Sequence, residues 1–185
     1  YNNIGNCYRR QARHAEALTW YQKALTAWPE FAEALNNSGV TLQDMGRLAD
    51  AVPYFERALA VRADYPDPLI NLSNNYRDRG RPEMAVECLR KAAAIRPDNP
   101  HIWNNLGCCL GDQGSVEEAV DCYRKCLDLD PRNHYAFSNL LLNIHYLDDR
   151  SPDEIFALHR EYERRYAVTP RPAAESAARP AGFDP

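Results

Sequence analysis

The chain has 185 residues, of which 22 are Lys or Arg and 26 are Asp or Glu, so its formal net charge is −4. Because 45% of the residues are hydrophobic, the chain can form a packed core, and wholesale disorder is excluded. No apolar run approaches the roughly 18 residues that a membrane-spanning helix needs, and the mildly acidic charge argues against a broad nucleic-acid-binding surface.

The N-terminal residues and the cysteines indicate the compartment. Residues 1–5 are polar and lack the basic and then apolar pattern of a secretory signal. The chain contains six cysteines, which are Cys7, Cys88, Cys108, Cys109, Cys122 and Cys126. Without a secretory signal, we expect these to be reduced thiols in a cytoplasmic protein, serving as small apolar residues rather than as metal ligands. We therefore expect neither a metal nor a cofactor in this chain.

A fixed spacing of 34 residues runs through most of the chain. Small residues recur at this spacing in one column, namely Ala17, Ala51, Ala85 and Ala119. Bulky residues recur in another column, namely Tyr21, Phe55, Leu89 and Tyr123. Such a period, with these residue types, is typical of the tetratricopeptide repeat, a helix-turn-helix unit. The chain resembles this family over about residues 1–147.

The repeat predicts an all-α fold, a solenoid of stacked helix-turn-helix units that forms a right-handed superhelix. With Gly5 at position 8 of the first unit, positions 4, 7, 8 and 11 share one helical face, which we predict to be packed. The predicted segments are four units at 1–31, 32–65, 66–99 and 100–133, a degenerate fifth unit with a terminal helix at 134–167, and a Pro- and Ala-rich linker or tail at 168–185. Since the chain starts inside a helix of the first unit, we expect it to be a fragment that lacks earlier repeats.

Asparagine occupies position 6 in all five units. These residues, which we call the asparagine ladder, are Asn3, Asn37, Asn71, Asn105 and Asn139. Position 6 lies roughly opposite the packed face of the first helix, and the first helices are expected to line the concave surface of the solenoid. Asparagine is a poor helix former, so its recurrence in mid-helix requires a reason.

Two roles for the asparagine ladder remain open. The side-chain amide offers an acceptor and two donors, which match the N–H and C=O groups of an extended peptide backbone. In the first role, the ladder holds a polypeptide segment in the concave groove whatever its side chains are. In the second role, amides of successive units bond to one another and only stabilise the superhelix. The two roles do not exclude each other.

Other polar residues flank the ladder on the predicted groove face. They are Asn6 and Asn74 at position 9, Asp44, Asp78 and Asp112 at position 13, and Asp67 at position 2. We expect the acidic residues to favour polar or basic side chains in a bound segment, with a merely solvated acidic face as the alternative. A groove that binds acidic C-terminal tails needs several Lys or Arg residues, and these columns contain only Arg10.

The end of the repeat array carries a second signal. Ser138-Asn139-Leu140-Leu141-Leu142 lies in the fifth unit, and Ser151-Pro152-Asp153-Glu154-Ile155-Phe156 and His159-Arg160 follow it. The segment from Ser151 has the pattern of a helix start, and we expect this helix to reach about Tyr166. Together with the asparagine ladder, these segments resemble the bacterial SPINDLY-like protein O-GlcNAc transferases. The resemblance implies a substrate-recognition region of a nucleotide-sugar-dependent glycosyltransferase, whose catalytic residues have no counterpart in this chain.

The predicted function is therefore protein–protein interaction, with extended segments of client proteins as partners and with neither nucleic acid nor membrane. A free-standing scaffold or adaptor without an enzymatic domain is the alternative, and self-association through the convex face or the N-terminal edge is a third possibility. No phosphate-binding loop or zinc motif occurs in the chain. His145 and His159 lack an evident nucleophile partner, so we assign no catalytic residue.

Overall fold

The computed structural model describes residues 1–147 and 151–166. These residues form ten α-helices joined by short turns: α1 (Asn2–Arg10), α2 (His14–Ala27), α3 (Ala32–Asp44), α4 (Leu48–Val61), α5 (Pro66–Asp78), α6 (Pro82–Ile95), α7 (Pro100–Asp112), α8 (Val116–Leu129), α9 (His134–Ile144) and α10 (Pro152–Tyr166). The prediction of an all-α fold is confirmed. The predicted tail at 168–185 lies outside the described residues.

The helices stack in chain order as five hairpins. Each odd-numbered helix packs against the even-numbered helix that follows it, and each even-numbered helix before α10 packs against the next odd-numbered one. Odd-numbered helices also contact each other at the α1–α3, α3–α5 and α7–α9 junctions, whereas no comparable contact joins successive even-numbered helices in the described residues. The first helices of the units therefore lie on the inner side of a curved stack, which we call the groove face.

The core between the helices consists of the columns that the repeat predicts. The small residues of one column are fully buried, and they are Ala17, Ala51, Ala85 and Ala119. A Cβ atom added to Gly39 would lie 2.6 Å from the Phe55 ring, and one added to Gly107 would lie 2.6 Å from the Tyr123 ring. The glycines at position 8 of these two units thus allow the two helices of each unit to approach closely.

The turn inside a unit requires one residue in the left-handed region of backbone space. In three units this residue is glycine, with φ of +73° at Gly46, +67° at Gly80 and +79° at Gly114. The first unit has Ala12 in the corresponding turn with φ of +57°. Because alanine carries a Cβ atom, this conformation costs roughly 1 kcal/mol there.

The terminal helix α10 begins at the predicted capping box. The Ser151 hydroxyl accepts a hydrogen bond from the Glu154 backbone N–H at 3.2 Å, and the Glu154 carboxylate accepts one from the Ser151 backbone N–H at 3.0 Å. Aromatic rings attach α10 to α9, with centroid distances of 5.5 Å from Phe137 to Tyr162 and 6.0 Å from Phe137 to Tyr166. The helix is described as far as Tyr166 and completes the fifth hairpin.

Candidate functional site

The asparagine ladder lies on the odd-numbered helices, outside the core between the helices. Asn3 is exposed, and the other four members are half-buried. Three of them donate a side-chain hydrogen bond to the asparagine at position 5 of the preceding unit. These bonds, which we call rungs, join Asn37 to Asn2 (3.0 Å), Asn71 to Asn36 (2.9 Å) and Asn139 to Asn104 (3.5 Å). Each rung links the first helices of two neighbouring units.

The junction between the third and fourth units has no rung. Position 5 of the third unit is Ile70, whose side chain cannot accept a hydrogen bond, so Asn105 lacks the acceptor that the three rungs use. The Asn105 side chain forms no hydrogen bond anywhere in the described residues. This junction also lacks the close contact between successive odd-numbered helices that the other three junctions show in the described part of the chain. Close approach of the first helices and an amide rung therefore occur together.

The rungs set the orientation of the ladder amides. The helical geometry of the sequence predicts amides that point away from the packed face, whereas three of them turn sideways to the preceding helix. The inter-unit bonds of the second predicted role are thus present at three junctions. Each rung uses one N–H group of the ladder amide. The oxygen of that same ladder amide accepts no hydrogen bond in the described residues. Because none of these oxygens is a buried unpaired atom, each reaches solvent.

The flanking polar residues divide into engaged and free groups. The Asn6 Oδ1 atom accepts a hydrogen bond from the Tyr21 hydroxyl at 2.7 Å, and Asp44 pairs with Arg9 of the preceding unit at 3.2 Å. Asn74 is half-buried and forms no side-chain hydrogen bond within the described residues. Three acids on this face are exposed and have no ion pair in the described part of the chain, and they are Asp67, Asp78 and Asp112.

The groove face changes character at its C-terminal end, which the sequence analysis missed. Tyr135, Leu142 and Tyr146 occupy positions 2, 9 and 13 of the fifth unit, and they are 68%, 63% and 70% exposed. Positions 2 and 13 carry charged or polar residues in the earlier units, such as Asp67 and Asp78. The tyrosines at these two positions of the fifth unit are the feature of the sequence from which this change could have been predicted.

The thiols and histidines of the described residues do not form a metal site. No group of three His, Cys, Asp or Glu side chains in residues 1–147 and 151–166 is placed to hold a metal ion. Burial raises the pKa of the Cys109 and Cys126 thiols to about 11, which keeps both neutral at physiological pH. The Nε2 atoms of His145 and His159 lie 3.0 Å apart, so one ring donates a hydrogen bond to the other. None of the described helices combines the length and the apolar character needed to cross a lipid bilayer.

Comparison with known families assigns the repeat. Models described as tetratricopeptide repeat match residues 1–61, 30–98 and 100–133. The chain belongs to the tetratricopeptide repeat (TPR) family. The matched residues include the first four hairpins of the TPR array and four members of the asparagine ladder. A comparison with curated protein sequences gives no match.

Solved structures share the fold of this TPR array. MamA superposes with a TM-score of 0.80 at 21% identity, over 89% of this chain and 95% of that one. YrrB, described as a TPR protein with an unusual peptide-binding site, gives a TM-score of 0.74 at 21% identity, over 91% of this chain and 86% of that one. PilF of Pseudomonas aeruginosa gives a TM-score of 0.79 at 20% identity, over 90% of this chain and 73% of that one. None of these comparisons supports the resemblance to SPINDLY-like O-GlcNAc transferases, which stays a prediction.

Proposed function

We propose that this TPR array binds extended polypeptide segments along its groove face. The observation that carries the proposal is the row of part-exposed amides, three of which are held in one orientation by rungs. An amide that is already ordered loses little conformational entropy on binding. Its free oxygen can accept a hydrogen bond from the backbone N–H of an extended chain, which does not depend on the side chain of that residue.

The free acids of the groove face favour basic segments. Asp67, Asp78 and Asp112 are exposed and have no ion pair within the described residues. Carboxylates beside a backbone-binding surface attract Lys and Arg side chains and speed association. Asp44 contributes less to this attraction, because Arg9 already neutralises it.

Two biological settings use such a face. In the first, the array is a free-standing scaffold or adaptor. In the second, it is the substrate-recognition region of a protein O-GlcNAc transferase, which rests only on the sequence resemblance. The peptide-binding site ascribed to YrrB supports a polypeptide partner in either setting. The gene sequence that follows the codon for Pro185 distinguishes them, because a nucleotide-sugar transferase domain there supports the second setting and an unrelated sequence or a stop codon supports the first.

Asn105 offers the cleanest test of the proposed function. Its amide forms no rung, so its removal costs the array no inter-unit hydrogen bond. We would select ligands from a phage-displayed library of random peptides of about 12 residues and measure their Kd by fluorescence anisotropy. Replacing Asn105 by alanine removes about one hydrogen bond to the ligand, so Asn105→Ala is expected to raise Kd by about three- to tenfold.

The matched control is Gln22→Ala, which removes an exposed side-chain amide from the second helix of the first unit, away from the groove face. This variant should leave Kd unchanged. Circular dichroism establishes that both variants keep their helices. A library that yields no binding peptide contradicts the proposal, and so does an equal loss of affinity in the two variants.

A further inference from the structure

In the first two units, the side chain at position 12 of the first helix bridges to the next unit. Arg9 pairs with Asp44 at 3.2 Å, and the Gln43 side-chain amide donates a hydrogen bond to the Asn71 carbonyl at 3.3 Å. In the fourth unit this position is Gly111, which has no side chain to span the space between α7 and α9. The space is instead a cavity of about 420 Å³ that opens on the groove face.

The cavity is lined by both polar and apolar side chains. Among the polar ones, the Asn143 amide donates a 2.8 Å hydrogen bond to the Asn139 carbonyl. Among the apolar ones, Leu142 and Tyr146 are more than half exposed. The volume lies in the range of roughly 300–1,000 Å³ that is usual for ligand-binding clefts. Large exposed apolar side chains that border a cavity mark a surface that a partner covers.

The lining also connects the cavity to the asparagine ladder. Asn139, the last ladder member, borders the cavity, so a polypeptide whose backbone meets this amide has an adjacent side chain above the opening. Asp112 lies on the rim and is exposed, with no ion pair in the described residues. Because alternate side chains of an extended chain point to the same side, one residue can enter the cavity while the residue two positions away reaches the rim.

We propose that this cavity is a side-chain pocket, which takes a bulky aliphatic or aromatic side chain of the bound polypeptide while Asp112 pairs with a Lys or Arg two residues away. The inference rests on the proposed function, because it requires a polypeptide on the groove face. It adds a sequence preference that backbone-binding amides do not provide. The charge of Asp112 commits the occupant to a segment in which a basic residue stands two positions from an apolar one.

Gly111→Gln is the variant that fills the pocket. It installs the side chain that the second unit has at this position, namely Gln43. An added Cβ atom lies 3.1 Å from the Asn143 Oδ1 atom and 3.8 Å from the Tyr123 hydroxyl, so only Asn143 must shift, by a few tenths of an ångström. Glycine is also a poor helix former, so the variant is expected to fold. Circular dichroism and the melting temperature of the variant check this expectation.

The test is a parallel selection from the same random peptide library on the wild-type chain, Gly111→Gln and Asp112→Asn. Wild-type peptides are expected to share a bulky apolar residue two positions from Lys or Arg. Peptides selected on Gly111→Gln should lose the apolar preference, and those selected on Asp112→Asn should lose the preference for a basic residue at that spacing. The tightest wild-type peptide should bind Tyr146→Ala at least about tenfold more weakly, whereas Phe156→Ala, which removes an exposed ring from α10, should leave its Kd unchanged.

The outcomes separate this inference from the proposed function. If no peptide is selected on any variant, the proposed function fails and the pocket with it. If peptides bind and depend on Asn105, yet show the same consensus on the wild-type chain and on Gly111→Gln, the pocket is wrong and the proposed function stands. A wild-type consensus without an apolar residue also overturns the pocket.

Discussion

Removing one rung should lower the stability of the array by a calculable amount. The Asn71 side-chain amide donates to the Asn36 Oδ1 atom at 2.9 Å, and Asn36 is only 6% exposed. Asn71→Ala deletes the donor and leaves the buried acceptor unpaired, which costs about 1–3 kcal/mol. The better helix propensity of alanine offsets roughly 0.5 kcal/mol of this loss. We therefore expect the free energy of unfolding to fall by about 1–2 kcal/mol and Tm to fall by about 2–8 °C.

Asn105→Ala is the matched control, because it makes the same substitution at the same repeat position where no rung exists. It should leave the free energy of unfolding unchanged or raise it by a few tenths of a kcal/mol. Urea unfolding followed by circular dichroism measures both variants. A double-mutant cycle of Asn36→Ala and Asn71→Ala should give a coupling energy of about 0.5–1.5 kcal/mol. Equal destabilisation by Asn71→Ala and Asn105→Ala, or a coupling energy of zero, would refute the structural role of the rung.

Three further predictions concern the turns of the first two units and the thiols. Ala12→Gly should raise the free energy of unfolding by about 0.5–1 kcal/mol in thermal melts, because Ala12 has a φ of +57°, and Gly46→Ala should lower it by a similar amount. A thiol-reactive dye should label the exposed Cys7 first in the native chain and reach the buried Cys109 and Cys126 only on unfolding. The pKa of these two thiols is about 11 in the folded chain and about 9 in the unfolded chain. The unfolded chain therefore loses these protons first, so the free energy of unfolding should fall as the pH rises between these values. Urea midpoints that stay constant over this pH range would contradict the last prediction.

The fold could be predicted from the sequence because each packing contact is encoded several times. The contact between Gly39 and Phe55 recurs 68 residues further along the chain, between Gly107 and Tyr123. An error in interpreting one unit is corrected by the next, since all units must pack on their neighbours with one geometry. The capping box at Ser151 was equally predictable, because it depends only on residues within one turn of the helix.

The groove face was less predictable because its geometry depends on pairs of helices. A single helix shows that position 6 lies outside the packed face, but the direction of the amide depends on position 5 of the preceding unit. The sequence contains Ile70 at position 5, but the missing rung can be predicted from it only when this position is compared with Asn105 of the next unit. Gly111 is similar, because a missing side chain makes a cavity only where neighbouring units place bridging side chains. Such features become readable when columns of adjacent units are compared as pairs.

Under the proposed function, the two roles of the asparagine ladder are divided between its members. Asn37, Asn71 and Asn139 each use one N–H group in a rung, so replacing any of them alters both stability and the surface offered to a ligand. Asn105 uses none in the described residues, and it lies at the junction where the first helices are least closely joined. A polypeptide backbone that forms hydrogen bonds to both Asn71 and Asn105 spans this junction. It connects the third and fourth units, which have no rung between them because position 5 is Ile70. The proposed function therefore predicts that binding and stability are coupled most strongly at the junction that lacks a rung.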